Sequence, residues 1–322
     1  MVTRYMRYLL LAQCLVAAGL VVLQITVLHV RNAWLALAIS IVLVVLVRLS
    51  ITANSFRLAW RFRSETPVPA RINLRQTTRL FCTEFLASML SSSWSMAFHA
   101  FEKKPARHPV GLPVLLIHGY GCNSGYWRSL SRRLSAANIT HHAVNLEPVL
   151  ADIDSYVPSV EQAITTLIHD TGSDQVVLVA HSMGGLVARA CLRAHGDNRI
   201  AKVIMLGTPH HGTALARHGI GINAQQMRCN ADKAGMVPSD WLQQLNRCED
   251  IAHRAMMVSI YSHHDNIVAP QRSCHLDGAT NIAVQGIGHV ALALDQGVQQ
   301  QVIDEIRSVR VPPRARRNRS TS

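Results

Sequence analysis

Gln175-Val-Val-Leu-Val-Ala-His-Ser-Met-Gly-Gly185 is the stretch that decides how this chain folds. A β-branched, apolar run ends at Ser182, and two glycines follow where a helix is expected to begin. Small residues at Ala180 and Gly184 would let the outgoing helix pass close to the incoming strand. The pattern predicts a sharp strand–turn–helix corner that presents the Ser182 hydroxyl above a sheet. The alternative is a serine that only caps a helix.

Short apolar segments and amphipathic segments alternate across residues 109–309. The predicted strands are 114–117, 142–146, 175–180, 201–206, 255–261 and 281–284, and the predicted helices are 125–137, 157–169, 184–195 and 290–309. This alternation predicts an α/β fold with a mostly parallel central sheet and helices on both faces. Residues 214–250 interrupt it with apolar residues and glycines. We interpret them as a lid or cap, with a surface insertion as the alternative.

Two apolar stretches, 9–30 and 33–47, contain no Asp, Glu, Lys or Arg. A membrane-spanning helix needs about 20 apolar residues, so we predict that residues 1–53 form a hairpin of two transmembrane helices. Arg31 and Asn32 would make the turn. A signal peptide is one alternative, but the second stretch follows at once and a small-residue cleavage site is lacking. A single span followed by an interfacial segment is the other.

The formal net charge of +13 is concentrated beside these stretches and at the carboxyl end. Arg4 and Arg7 precede the first stretch, a run of arginines follows the second, and Arg31 alone lies between them. The positive-inside rule therefore predicts that both ends, and the region that follows the hairpin, lie in the cytoplasm and that the short turn lies outside. Anionic headgroups would attract the basic segments. The alternative is that the charges only set the topology and keep the tail soluble. Nucleic-acid binding is not expected, because no recognition motif or aromatic interleaving accompanies the charge.

The hairpin is followed by a basic connector, 54–108, whose apolar residues recur at helical spacing from about Asn73 to Phe101. This amphipathic helix either packs on the domain or lies at the membrane surface. The tail, 310–322, is basic and contains a proline pair, which predicts disorder. The seven scattered cysteines lack a Cys-x-x-Cys pair and suit a reducing compartment, whereas Cys229 and Cys248 could form a bridge in a periplasmic domain.

A serine nucleophile needs a base to take its proton and an acid to orient that base. Asp265 follows the predicted strand 255–261 and would point into the crevice above the sheet, with Asp277 as the second choice. His289 follows the strand 281–284 on a glycine-containing loop that could reach Ser182. Three other histidines lie close to the acid in sequence and leave little chain to reach the serine: His263, His264 and His275.

The oxyanion that forms during acyl transfer needs hydrogen-bond donors, usually two backbone N–H groups. One would be the N–H of Met183, directly after the nucleophile. The other would come from the loop after the strand 114–117, which reads His118-Gly-Tyr-Gly121, with Tyr120 as the donor. An ordinary strand-to-helix turn would also contain glycines.

With these motifs in order, the chain resembles bacterial lipases and esterases of the α/β-hydrolase superfamily. The resemblance covers roughly residues 109–309 and includes Ala180-His-Ser-Met-Gly-Gly185 and Gly207-Thr-Pro-His-His-Gly-Thr213. It implies a serine carboxylester hydrolase of the triacylglycerol lipase type, which cleaves lipid or other apolar esters through an acyl-enzyme and needs no cofactor or metal. Secreted lipases lack the hairpin, so the resemblance together with residues 1–53 predicts an enzyme anchored in the bacterial inner membrane, with its catalytic region in the cytoplasm.

Two other functions remain open on sequence grounds. An acyltransferase or thioesterase could use the same Ser-Asp-His triad, because another acceptor or a thioester can serve the same acyl-enzyme. A membrane scaffold with a decayed hydrolase domain is the non-enzymatic alternative, although every catalytic role has an intact candidate.

Overall fold

The structure, a computed structural model, describes residues 1–232 and 235–309, so the predicted disordered tail lies outside the described residues. The α-helices are α1 (Val2–Thr26), α2 (Ala33–Arg61), α3 (Leu74–Leu90), α4 (Met96–Phe98), α5 (Arg128–Ala136), α6 (Val157–Thr171), α7 (Met183–His195), α8 (Ile222–Gln226), α9 (Asp240–Cys248), α10 (Ile251–Ala255) and α11 (Gln296–Arg307). A π-helix, Ser91–Ser95, joins α3 to α4. Short 3₁₀ turns include Ser124–Trp127, Asp154–Tyr156, Ala214–His218 and Ala291–Ala293.

The strands form one large sheet and one hairpin. They are β1 (Lys103–Lys104), β2 (Val114–Ile117), β3 (His141–Val144), β4 (Val176–His181), β5 (Ile200–Leu206), β6 (Cys229–Asp232), β7 (Gly235–Pro238), β8 (Met257–Ser262) and β9 (Thr280–Val284). The seven-stranded sheet has the order β1-β3-β2-β4-β5-β8-β9, and β1 is its antiparallel member. The predicted α/β fold with a mostly parallel sheet is confirmed.

Apolar side chains fill both faces of this sheet. Alternate residues of a strand point to opposite faces. Leu115 and Ile117 therefore pack in one cluster with residues of α6 and α7, and Val114 and Leu116 pack in another with residues of α5 and α11. All four side chains are fully buried. This two-sided core supports the sheet, and the candidate site residues follow the ends of β2, β4, β8 and β9.

The two N-terminal helices form a hairpin that exposes most of its apolar surface. Only 6% of the most apolar 18-residue stretch of α1 and 17% of the corresponding stretch of α2 is buried. Both helices are long and apolar enough to cross a membrane. The amide nitrogen of Gln24 donates to the Ser40 hydroxyl at 2.9 Å and ties the helices together. The Asn32 side chain caps α2. Both helices are compatible with the predicted membrane hairpin, although α1 begins earlier and α2 ends later than the apolar stretches.

Polar contacts join the two helices of the hairpin to each other and to the π-helix that follows α3. Arg48 of α2 donates to the Ser93 hydroxyl at 2.7 Å and to the side-chain oxygen of Gln13 at 3.2 Å. At the amino-terminal end of α3, Asn73 and Gln76 form a reciprocal capping box that starts the helix. The buried face of α3 comprises Leu80, Glu84 and Ala87. A helix packed on the domain was one of the two predicted placements of this segment.

Residues 214–250 pack partly against the main core. They contain α8, the β6–β7 hairpin and α9, and the α9 side chains Leu242 and Leu245 are fully buried in the cluster that includes α7. The predicted role of this segment as a lid is a question of movement and stays a prediction.

Candidate active site

Ser182 lies at the corner between β4 and α7 with φ 56° and ψ −125°. A positive φ is unusual for a residue other than glycine, and backbone strain of this kind is characteristic of functional corners. The crossing is tight because a Cβ on Gly184 would lie 2.5 Å from the carbonyl oxygens of Ile117 and His118. The glycine after the corner is therefore required for α7 to pass over the end of β2.

Asp265 and His289 are in direct contact. His289 Nδ1 lies 2.7 Å from Asp265 Oδ2, and both residues are buried. The second carboxylate oxygen, Oδ1, accepts the backbone N–H groups of Ile267 at 2.8 Å and Val268 at 2.7 Å. Because the carboxylate accepts the Nδ1 proton, the imidazole keeps Nε2 available as a base.

Electrostatics raise the pKa of His289 above its ordinary value. Burial alone would lower this pKa, but the charge and hydrogen bond of Asp265, with a further contribution from the charge of Glu84, raise it. A general base must be unprotonated, so the acidic limb of any His289-dependent reaction is expected above the ordinary histidine pKa.

Ser182 and His289 line one cavity together with Gly119 and Tyr120. Gly119 runs so close to the serine that an added Cβ would lie 2.9 Å from the Ser182 Cβ. Met183 begins α7, and its backbone N–H is at the positive end of that helix. The loop after β2 and the start of α7 thus flank Ser182 on two sides.

The side chains of this loop brace it against its neighbours. The Tyr120 hydroxyl donates to the Ile220 carbonyl oxygen at 2.7 Å and accepts the Ile220 N–H at 3.2 Å. His118 accepts the N–H of Leu146 through Nε2 at 3.1 Å, and burial lowers its pKa to about 4. His118 is therefore neutral, and it supports the loop after β2.

The Gly207–Thr213 motif lies close to Asp265 and His289. Gly207 has a φ of 58°, and a Cβ there would approach His289 Nδ1 to 3.2 Å and Asp265 Oδ2 to 3.4 Å. The Thr213 hydroxyl donates to the Ile267 carbonyl oxygen at 2.7 Å and accepts the Ala269 N–H at 3.1 Å. The motif thus gives room to the Asp265–His289 pair and fixes the loop that carries the acid.

The remaining candidates lie elsewhere. Asp277, the second choice for the acid, is exposed and pairs with His275 at 3.3 Å. His264 accepts the Gly286 N–H through Nδ1 at 3.1 Å, and the His263 ring contacts Tyr261. Among residues 1–232 and 235–309, no group of three or more His, Cys, Asp or Glu side chains is arranged to hold a metal ion.

Three further residues support His289 and were not singled out from the sequence. His181 Nε2 donates to the His289 carbonyl oxygen at 3.1 Å, and Asn266 Oδ1 accepts the His289 N–H at 3.0 Å. Both are next to predicted site residues in the sequence, and this adjacency could have identified them. Glu84 contacts the residues after His289 across 206 positions of sequence, and its signal was an acid on the apolar face of an amphipathic helix.

The cavity is large and has two kinds of wall. Its volume is about 690 Å³. One wall belongs to the sheet domain and contains Ser182, His289 and Ile267, and the other comes from α1, α2, α3 and the π-helix. The apolar side chains contributed by the N-terminal helices include Leu9, Val16, Val44, Val47, Ile51, Phe85 and Met89. The site can therefore receive an apolar chain beside the serine.

The names of curated proteins with similar sequences indicate that they act on esters or acyl groups. The GPI inositol-deacylase of Candida albicans is 25% identical over 182 residues, which cover 50% of this chain and 40% of that protein. The triacylglycerol lipase of Pseudarthrobacter phenanthrenivorans is 29% identical over 113 residues, which cover 32% of this chain and 35% of the lipase. The chain therefore spans less than half the length of these relatives.

Solved structures agree with this fold. The mature form of lipase BlEst2 from Bacillus licheniformis superimposes with a TM-score of 0.52 at 18% identity, covering 63% of this chain and 96% of the lipase. Lipase B from Aspergillus fumigatus gives a TM-score of 0.50 at 19% identity, with 60% and 52% covered. At these identities the likeness shows the fold alone, and it confirms the predicted α/β-hydrolase fold.

A match to a protein family covers residues 108–302, which is more than half of the chain. It coincides with the region in which the lipase-like motifs were recognised. The resemblance to lipases and esterases is confirmed at this level, and the chain is a lipase/esterase-like α/β hydrolase. It belongs to the family described as the PGAP1-like alpha/beta domain.

Proposed function

We propose that this protein is a membrane-anchored serine carboxylester hydrolase that cleaves lipid-like esters. The observation that carries this proposal is the shared cavity, which Ser182 and His289 line together with apolar side chains of α1 and α2. Because the same two helices are long and apolar enough to cross a membrane, an acyl chain could pass from the bilayer to the serine along apolar surface.

The reaction would follow the acyl-enzyme route. Ser182 Oγ attacks the ester carbonyl while His289 Nε2 takes its proton, and Asp265 holds the imidazole in the productive tautomer. The N–H groups of Tyr120 and Met183 stabilise the oxyanion of the tetrahedral intermediate. His289 then protonates the leaving alcohol. Water attacks the acyl-enzyme with His289 again acting as the base, and the carboxylate product is released.

Supporting roles are assigned by region. Residues 1–53 anchor the enzyme, 54–108 connect it to the membrane surface, 109–309 form the hydrolase domain, and 214–250 act as a cap. The arginines around the hairpin favour a hydrolase domain in the cytoplasm, where they would contact anionic headgroups. The resemblance to bacterial lipases and esterases favours the bacterial inner membrane as the location. A lipid or other apolar ester bound from the bilayer is the expected substrate class.

The test is hydrolysis of p-nitrophenyl esters of increasing acyl length by the full chain in detergent, compared with Ser182→Ala. We expect turnover that favours long chains and falls about 10⁴- to 10⁶-fold in the variant. Turnover that survives the substitution would overturn the assignment of the nucleophile. A short-chain optimum would contradict a lipid-like substrate.

The deacylase relative removes an acyl group according to its name, which agrees with ester hydrolysis as the reaction type. An acyltransferase or thioesterase would use the same groups, so the assay includes an alcohol acceptor and a thioester. Hydrolysis that proceeds unchanged in the presence of the acceptor would favour the proposed hydrolase. Turnover that depends on the acceptor would favour the transferase.

A further inference from the structure

Glu84 of α3 is a carboxylate in contact with the loop that carries His289. Only 1% of the residue is exposed. Its Oε1 accepts the Val290 N–H at 3.0 Å, and its Oε2 accepts the Ala291 N–H at 2.9 Å. Val290 and Ala291 directly follow His289, so Glu84 fixes the backbone on the carboxyl side of the imidazole.

The same carboxylate also limits the loop on its other side. An added Cβ at Gly288 would overlap the carboxylate of Glu84, so the residue before His289 packs directly against this acid. Asn266 accepts the His289 N–H, and its own amide nitrogen donates to the Ser55 hydroxyl of α2 at 2.9 Å. Two N-terminal helices thus support the histidine loop, one directly and one through Asn266.

Burying a carboxylate costs free energy unless other groups stabilise its charge. The pKa of Glu84 is raised above its ordinary value because of burial, and the N–H groups of Val290 and Ala291 and the charge of His289 offset only part of this rise. Asp265 raises it further. Two N–H bonds, one to each oxygen, favour the ionised form. Ionisation of Glu84 therefore depends on the loop that it positions, because the two N–H groups and the charge of His289 oppose the effect of burial.

We propose that Glu84 is a positioning residue of the hydrolase: it holds the His289 loop in place, and its charge stabilises the imidazolium formed when His289 takes the proton of Ser182. This assignment rests on the proposed function. Glu84 precedes residue 108, where the family match begins. It would therefore make the N-terminal region part of the catalytic apparatus as well as the anchor.

The other titratable groups near this pair are three that are uncharged near neutral pH and the cation Arg48. Burial lowers the pKa of His181 well below its ordinary value and raises the pKa of Tyr126 well above it. Burial also raises the pKa of Cys122 to about 12. Arg48 lines the same cavity and donates to Ser93 and Gln13. Among the described residues, Asp265 and Glu84 are the carboxylates whose charges act on His289.

The test compares the wild type, Glu84→Gln and Glu84→Asp as full chains in detergent. A short p-nitrophenyl ester serves as the substrate, with kcat and KM measured from about pH 5 to about pH 9, a range that spans histidine titration. Loss of the charge in Glu84→Gln lowers the pKa of His289, so the acidic limb moves to lower pH. Loss of one N–H acceptor misplaces the base and lowers kcat about 10- to 100-fold, with KM little changed.

Glu84→Asp separates the two effects because it keeps the charge and shortens the reach. We expect a lower kcat with the acidic limb close to that of the wild type. The matched control is Glu102→Gln, which removes the same charge from an exposed side chain and should leave both quantities unchanged.

An unshifted limb in Glu84→Gln, or a change confined to KM, would overturn the assignment. If Glu84→Gln fails to fold, Glu84→Asp decides: wild-type kcat in that variant is incompatible with positioning. Hydrolysis by the wild type that persists in Ser182→Ala would refute the proposed function and this assignment with it. A failure of Glu84 alone, in contrast, would leave Ser182-dependent turnover intact.

Discussion

The sheet domain supplies the proposed catalytic groups, whereas the N-terminal helices supply much of the wall that surrounds them. Ser182, Asp265 and His289 all follow strands of the central sheet, and their places depend on a core that is closed on both faces. The cavity wall from α1 and α2 contains apolar side chains together with polar ones such as Arg48, and both helices have little buried surface. Chemistry and substrate selection would therefore reside in different parts of the molecule.

This division predicts that substitutions in the two regions change different kinetic parameters. Changes at the strand ends should lower turnover of every ester, whereas changes in the helical wall should affect substrates according to acyl length. Glu84 is the proposed exception, because it lies on a helix of the N-terminal region and contacts the histidine loop.

The largest effect in this comparison after loss of the nucleophile is expected at the acid. Asp265→Asn removes the charge that holds the Nδ1 tautomer of His289, so kcat should fall about 10³- to 10⁴-fold for short and long esters alike. Since Asp265 raises the pKa of His289, the acidic limb of the residual activity should move to lower pH. Steady-state kinetics across pH measures both.

Asp277→Asn is the matched control because Asp277 was the second choice and is exposed beside His275. It should retain wild-type turnover. A loss as large as that of Asp265→Asn would mean that the acid has been assigned to the wrong residue.

A smaller effect, selective for long substrates, is expected in the helical wall. Val47 of α2 lines the cavity, and Val47→Trp would fill space that a long acyl chain needs. Turnover of long p-nitrophenyl esters should fall about tenfold, which corresponds to about 1.4 kcal/mol, while short esters are little affected. The ratio of kcat/KM for long and short esters measures this selectivity.

Leu46→Trp provides the control on the same helix. Leu46 is exposed, and it is not part of the cavity lining in the described part of the chain. It should leave the ratio unchanged. An equal loss for all chain lengths in Val47→Trp would show that α2 affects catalysis generally and would erase the proposed division between chemistry and selection.

The same division explains what could be predicted from the sequence. The sheet, the strand ends and the candidates Ser182, Asp265 and His289 follow from local patterns, because each residue is adjacent to an apolar strand or to glycines that permit a tight turn. The structure brings Asp265 and His289 into contact as that reasoning requires. Residues 9–30 and 33–47 could likewise be recognised as candidate membrane spans from their apolar content alone.

The convergence of distant segments could not be predicted in this way. The periodicity of α3 shows that one face is apolar, but it does not specify which surface that face will cover. Glu84 therefore remained an unexplained acid on that face until the packing placed it beside Val290. In the same way, the participation of α1 and α2 in the cavity depends on tertiary contacts such as those of Arg48 with Ser93 and Gln13.

The smallest expected effect concerns the contact between the loop after β2, which carries Tyr120, and the predicted cap. Tyr120→Phe removes both hydrogen bonds to the Ile220 backbone but keeps the Tyr120 N–H that is proposed to stabilise the oxyanion. At about 0.5–1.5 kcal/mol for a hydrogen bond, turnover should fall roughly two- to tenfold for all chain lengths. Ile220→Ala is the control, since it shortens an exposed side chain and preserves the backbone groups that Tyr120 contacts. Equal losses in the two variants would show that the Ile220 side chain matters instead. An unchanged kcat in Tyr120→Phe would mean that the loop after β2 is held by its own glycines and by His118, and that the cap does not influence the oxyanion site through this contact.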